Sequence, residues 1–343
     1  MSADPHAHHD LWYVAEKAVV CGRVDSGPGL VQTPQGDLLA FFGTPHGTEQ
    51  HRATAAEVAA LVRGRVQVSR STDGGLTWSP PVDLPAPEGL DVHYGMPSCA
   101  LCLPSGRILL VVRWHAHGAE LQWIGGVLTL GYQGALSQEE SDARTYSALI
   151  YRSRDEGLTW GDPTVLVRPG AHCRLAAEPS LAALPDGRWV ALVRYHPPGN
   201  SAATVRLESR DEGRTWSAPA HLFVGAMDCL RNLPGGGLVV SHVSTAGIVV
   251  RFSYDGGWTW TREVWAFDIW AEGQYRNGAC WNQSLLVVDE DMILCGFTSV
   301  APDDAHKDVR YGARQAEWGL AARVRFLRRQ RDGSLTVPRE VAG

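Results

Sequence analysis

Ser71-Thr72-Asp73-Gly74-Gly75-Leu76-Thr77-Trp78 is one of four copies of a single pattern, S-x-D-x-G-x-T-W. The others are Ser153-Arg154-Asp155-Glu156-Gly157-Leu158-Thr159-Trp160, Ser209-Arg210-Asp211-Glu212-Gly213-Arg214-Thr215-Trp216 and Ser253-Tyr254-Asp255-Gly256-Gly257-Trp258-Thr259-Trp260. Each follows directly on an apolar, alternating run. An internal repeat of this kind decides the architecture ahead of any single motif. Its chemistry is that of a turn. Asp accepts bonds from backbone N–H groups further along, which fixes the turn. Gly two residues later supplies positive φ without Cβ strain, and Thr-Trp starts the next strand with an indole to pack between sheets. A residue repeated in every unit is a building part. The four aspartates are therefore read as turn staples, not as catalytic acids or metal ligands.

A second repeat lies ahead of each octapeptide: an apolar run, a Pro/Asp-Gly turn and another apolar run. The turns are Pro34-Gln35-Gly36, Pro104-Ser105-Gly106, Pro185-Asp186-Gly187, Pro234-Gly235-Gly236 and, degenerate, Asp289-Glu290-Asp291. This turn chemistry predicts β-hairpins. A hairpin, a third strand, the octapeptide and a last strand make a four-stranded blade, and five such units are visible. A sixth is expected from the C-terminal strands 320–328 and 334–337 joined to the N-terminal strand 12–20. Closure between the chain ends leaves only short sheet edges. The expected fold is all-β, a six-bladed β-propeller over residues 11–343 preceded by a disordered tail, 1–10.

Two insertions break the rhythm. Residues 44–65 contain the capping box Thr54-Ala55-Ala56-Glu57 and an apolar face at Ala55, Val58, Ala59 and Val62, which predicts a short helix in blade one. Residues 115–144 carry Trp123, Tyr132 and the acidic Glu139-Glu140-Ser141-Asp142. Loops grafted on a rigid scaffold are where specificity resides.

The octapeptides resemble the Asp-box, or BNR, repeats of the sialidase superfamily, over roughly residues 20 to 300. The resemblance implies a propeller with these boxes between the third and fourth strands, on the rim away from substrate. It implies fold rather than reaction. Family sialidases use three arginines on the substrate carboxylate, a Tyr nucleophile activated by Glu, and an Asp acid/base. Glu178, in Ala177-Glu178-Pro179-Ser180, matches the family Glu, and Arg194 matches the second arginine. Gly27 stands at the first arginine, and no Asp occurs between Asp37 and Asp73. Ser244-Thr245-Ala246-Gly247 stands where the third arginine belongs, and Trp281-Asn282 where the Tyr belongs. The sialidase reaction itself is not implied.

The formal net charge is −6, and the one basic run is Arg328-Arg329-Gln330-Arg331. Neither a nucleic-acid partner nor a membrane span is expected. The first ten residues lack the apolar stretch of a signal peptide. Of the seven cysteines, Cys99, Cys102, Cys229, Cys280 and Cys295 lie in apolar strand-like runs, where thiols act as small hydrophobes. Cys99-Ala100-Leu101-Cys102 matches a redox motif by letter, but a strand turns those two thiols to opposite faces. A reduced, cytoplasmic protein is expected. His115-Ala116-His117 and Asp303-Asp304-Ala305-His306 offer ligand types without a zinc spacing; no metal and no cofactor are expected.

In a propeller the start of each innermost strand opens on the central funnel. The catalytic candidates are Glu178, with Asp228 or Glu272 as partner carboxylate, and His93 and Tyr94. The candidates for holding substrate are Arg194, Arg113, His172, His196, His242, Tyr275, Arg276 and Asn282. Arginines suit a carboxylated sugar because the guanidinium pairs with carboxylates in a bidentate manner. The expected function is a sialidase-like, exo-acting glycosidase of non-sialidase specificity on an acidic sugar. A uronate lyase using a His or Tyr base and a binding-only propeller are the alternatives. Sequence leaves the oligomeric state open.

Overall fold

The computed structural model describes residues 29–43, 66–85, 92–116, 120–124, 127–131, 147–167, 177–195, 203–244, 247–268, 280–287, 292–300, 320–329 and 335–336. These residues form five four-stranded antiparallel sheets and one separate hairpin. The first sheet runs β1 (Gly29–Gln32), β2 (Leu38–Gly43), β3 (Val66–Ser71), β4 (Val82–Asp83). The second comprises β5 (Val92–Cys102), β6 (Ile108–Ala116), β9 (Ser147–Ser153) and β10 (Gly161–Val167), interrupted by the hairpin β7 (Glu120–Ile124) and β8 (Val127–Gly131). The third is β11 (Ala177–Ala183), β12 (Trp189–Tyr195), β13 (Ala203–Ser209), β14 (Ala220–Val224). The fourth is β15 (Ala226–Asn232), β16 (Leu238–Ser244), β17 (Gly247–Ser253), β18 (Val264–Asp268). The fifth is β19 (Cys280–Val287), β20 (Met292–Val300), β21 (Leu320–Arg329), β22 (Leu335–Thr336).

These sheets are propeller blades, packed through their faces. Leu39, Phe41, Leu110 and Tyr151 close the space between blades one and two. Leu109, Val111, Leu181 and Trp189 do so between two and three. Leu192, Leu230 and Val240 fill the next gap, and Val239, Phe252, Leu285 and Leu327 the one after it. Both faces of a blade are thus dry, which is why β6 reads as the unbroken buried run Ile108–Val112. Successive residues of that run serve successive gaps. The same alternation separates Cys99, in the gap towards blade three, from Cys102, packed towards blade one.

Every octapeptide has the bonding the sequence predicts. In the second copy Ser153 donates to Asp155 Oδ1 at 2.8 Å, and Thr159 donates its N–H to Oδ1 at 2.8 Å and its hydroxyl to Oδ2 at 2.5 Å. Trp160 then donates its indole N–H to the Gly157 carbonyl at 3.1 Å and packs edge-on against Phe41 of blade one. The buried indole N–H of Trp216 departs from this, with no hydrogen-bond partner among the described residues. The fourth position also takes positive φ, at Gly74, Glu156, Glu212 and Gly256, directly before the Gly of the pattern. That carbonyl receives an arginine from the preceding blade: Arg70 donates to Glu156, Arg152 to Glu212 at 2.7 Å and Arg206 to Gly256 at 3.0 Å.

The C-terminal strands assigned to a sixth blade are instead the third and fourth strands of the fifth: β21 pairs with β20 over its whole length. Without them the β19–β20 hairpin would keep an unpaired edge and lose Leu327 from its core. The described residues therefore form five blades, not six, and strand 12–20 lies outside them. The helix expected within 44–65 and the tail 1–10 also lie outside; among the described residues there is no helix. The second insertion contributes the β7–β8 hairpin.

Candidate functional site

Antiparallel topology fixes which groups share a face. The 1–2 turns and the octapeptides lie at one end of the first four blades. The first strands begin, and the 2–3 connections cross, at the other. Both insertions are 2–3 connections, and the strand ends that flank them lie on the face where Glu178 and Asp228 sit near the starts of β11 and β15.

The inner strands are irregular there. Register shifts fall between Pro97 and Cys99, Ala177 and Ser180, Ala226 and Cys229, and Trp281 and Ser284. A bulge re-aims a side chain that regular pleating would send into the core. At Glu178 the backbone takes φ 54°, a left-handed conformation that costs a non-glycine residue roughly 1 kcal/mol or more. Strands β11 and β15 are tied below these bulges by the Leu230 N–H, which donates to Ser180 Oγ at 2.8 Å.

Four side chains meet across the boundary of blades three and four. Arg194 Nη1 donates to both oxygens of Glu178, at 3.1 and 3.2 Å, and both residues are half-buried. Thr204 stands directly opposite Arg194 in the β12–β13 ladder, so the two side chains share one face. The Thr204 hydroxyl contacts Asp228 Oδ2 at 2.8 Å and Oδ1 at 3.1 Å, and both residues are buried. Burial pushes the Asp228 carboxyl up to about 7, helped by the Glu178 charge, while Thr204 and Arg194 pull the other way. One carboxylate is thus ion-paired and reachable, and its neighbour is dry and holds its proton near neutrality. Such a division supplies an acid and a base from the same side-chain type.

His242 is fully buried between blades three and four, stacked on Phe223 with ring centroids 4.6 Å apart. Its Nε2 accepts a bond from Arg251 Nε at 3.2 Å, and burial lowers its pKa to about 4, which makes it a neutral interior group. A Cβ on Gly225 would come within 2.4 Å of His242 Nδ1, so the histidine occupies space only glycine leaves. His93 and Tyr94 lie near the start of β5, Arg113 near the end of β6 and Asn282 near the start of β19, all on the site face by backbone position. Their side chains, and all of His172, His196, Glu272, Tyr275 and Arg276, lie outside the described residues. Thr204 was not singled out from sequence. Its signal is its place at the start of a third strand, opposite Arg194.

Four-stranded antiparallel blades with a box between the third and fourth strands define a propeller of the sialidase type. The chain belongs to the BNR repeat-like domain family, whose model matches residues 20–275. It is similar to a sialidase of Micromonospora viridifaciens, 28% identical over 210 residues that cover 58% of this chain and 29% of the relative. The chain thus spans less than a third of that relative's length. Among solved structures it resembles a protein of unknown function from Dyadobacter fermentans, with a TM-score of 0.58, 19% identity and coverage of 87% and 75% of the two chains. It also resembles the NanB sialidase of Streptococcus pneumoniae, with a TM-score of 0.56, 14% identity and coverage of 96% and 64%. At such identities the structural likeness speaks for the fold.

Proposed function

We propose that this protein is a glycoside hydrolase of non-sialidase specificity that acts on an acidic sugar at the funnel, with Asp228 as proton donor and Glu178, bonded to Arg194, as its partner carboxyl. The observation that carries this reading is the contrast between two neighbouring carboxyls, one ion-paired to Arg194 and half-buried, the other dry and protonated near neutrality. Protonation of the glycosidic oxygen by Asp228 would make the departing sugar an alcohol, while Glu178 would take the proton of an attacking water or bond the anomeric carbon. His93, Tyr94, Arg113 and Asn282, which share the site face by backbone position, would hold the sugar. Free buried thiols at Cys99, Cys229 and Cys295 support a reducing, cytoplasmic setting.

The test is release of sugar from a panel of acidic and neutral glycosides by the wild type, Glu178→Gln and Asp228→Asn. Each variant should bind sugar yet lose at least about a hundredfold in turnover. Binding without release from any of the three proteins would replace the enzyme with a sugar-binding propeller. The family catalytic positions that this sequence lacks favour that second reading, and the Glu178–Arg194 pair is compatible with it, since ion pairs also occur as structure. If no sugar binds, the carbohydrate assignment falls.

A further inference from the structure

The cross-strand pair Arg194 and Thr204 presents two different donors, side by side, to two carboxyls. A guanidinium compensates the charge of its partner, and Arg194 stands 3.1 Å from Glu178. A hydroxyl is neutral. In a dry setting it orients a carboxyl without cancelling its charge, and Thr204 is fully buried with its Oγ at 2.8 and 3.1 Å from the two oxygens of Asp228. Asp228 comes from blade four and Thr204 from blade three, so the contact spans the same boundary as the site. We infer that Thr204 is the positioning residue of the acid: it fixes the Asp228 carboxyl beside the Glu178–Arg194 pair, and blade three thereby sorts the two carboxyls into proton donor and ion. This rests on the reading of Asp228 as the acid.

Among the described residues, the charged and titratable groups around Asp228 are Glu178 from β11, Arg194 from β12 and Cys229 on its own strand. Loss of the Thr204 hydroxyl leaves all three in place. The experiment is a carbon-13 titration of the Asp228 carboxyl in the full chain, for the wild type, Thr204→Val and Thr204→Ser. Thr204→Val keeps the volume and removes the donor to the ionised form, so the midpoint should rise by about one pH unit. Thr204→Ser should restore it. A packing role alone would lower Tm and leave the midpoint where it was, and that result would overturn the assignment. The wild type alone offers a second check. Above the midpoint, deuterium on the Thr204 hydroxyl should shift the Asp228 carboxyl resonance, and no shift would count equally against the contact. Neither readout involves a sugar, so the midpoint shift can stand while the glycosidase reading fails in the release assay, or the reverse.

Discussion

Asp228 makes the sign of its contribution to stability testable. Its folded-state pKa, about 7, lies above its ordinary value of 3.8. The folded chain therefore holds a proton that the unfolded chain releases, and the stability this brings is full below about pH 4 and lost as pH rises through 7. Asp228→Asn should raise Tm at pH 8, an effect on the order of a few kcal/mol, and change it little at pH 4. Melts of the two proteins across that range decide the matter; equal slopes would show that Asp228 is not protonated in the fold. His242 works in the opposite direction. Its folded value of about 4 lies below the usual 6.5, so its contribution is present above 6.5 and lost as pH falls towards 4. Between those limits the two groups oppose each other, and the single variants separate them.

At the scale of elements, the octapeptide is a turn that also forms half of an inter-blade joint. A Cβ on Gly157 would come within 2.4 Å of Leu39 in blade one, at φ 87°, whereas one on Gly74, at φ 74°, would meet nothing within 4 Å. Gly157→Ala should thus cost about 2–3 kcal/mol or more, since strain and overpacking add. Gly74→Ala should cost only about 1 kcal/mol. Urea denaturation of both variants compares them directly, and equal losses would show that the approach to Leu39 is not tight.

Sequence made the turn itself legible, because serine, aspartate, glycine, threonine and tryptophan recur at fixed spacing. It hid the joint. Arg70 and Arg152 stand one residue before their serines, while Arg206 stands three before its own. The two offsets share a face only because a strand alternates with period two. Glu178 and Arg194 were legible through family resemblance and Asp228 through its position. Thr204 was not, because a hydroxyl matters here only through a register that sequence does not print.

For the whole molecule, the order of blades was legible and the manner of ending was not. The last sheet lacks an octapeptide, so nothing in the sequence marked β21 and β22 as its outer strands. Their removal, by truncation before Leu320, would uncover β20 along its length and take Leu327 from the core between blades four and five. The truncated chain should lose cooperative unfolding in blades four and five, read as a lower and broader urea transition than that of the full chain. A transition unchanged in midpoint and slope would return those strands to some other sheet.

The arginine that blades one, two and three each extend to the next gives the array a direction. Arg70, Arg152 and Arg206 all donate forwards along the chain, into a carbonyl of the following octapeptide. A blade copied in tandem would bring a donor for its successor and an acceptor for its predecessor, and so would arrive already fitted to both neighbours. Lengthening by whole blades needs no new invention at the seam. A blade moved out of order, or pasted in reverse, would leave a buried guanidinium on one side and an unanswered carbonyl on the other.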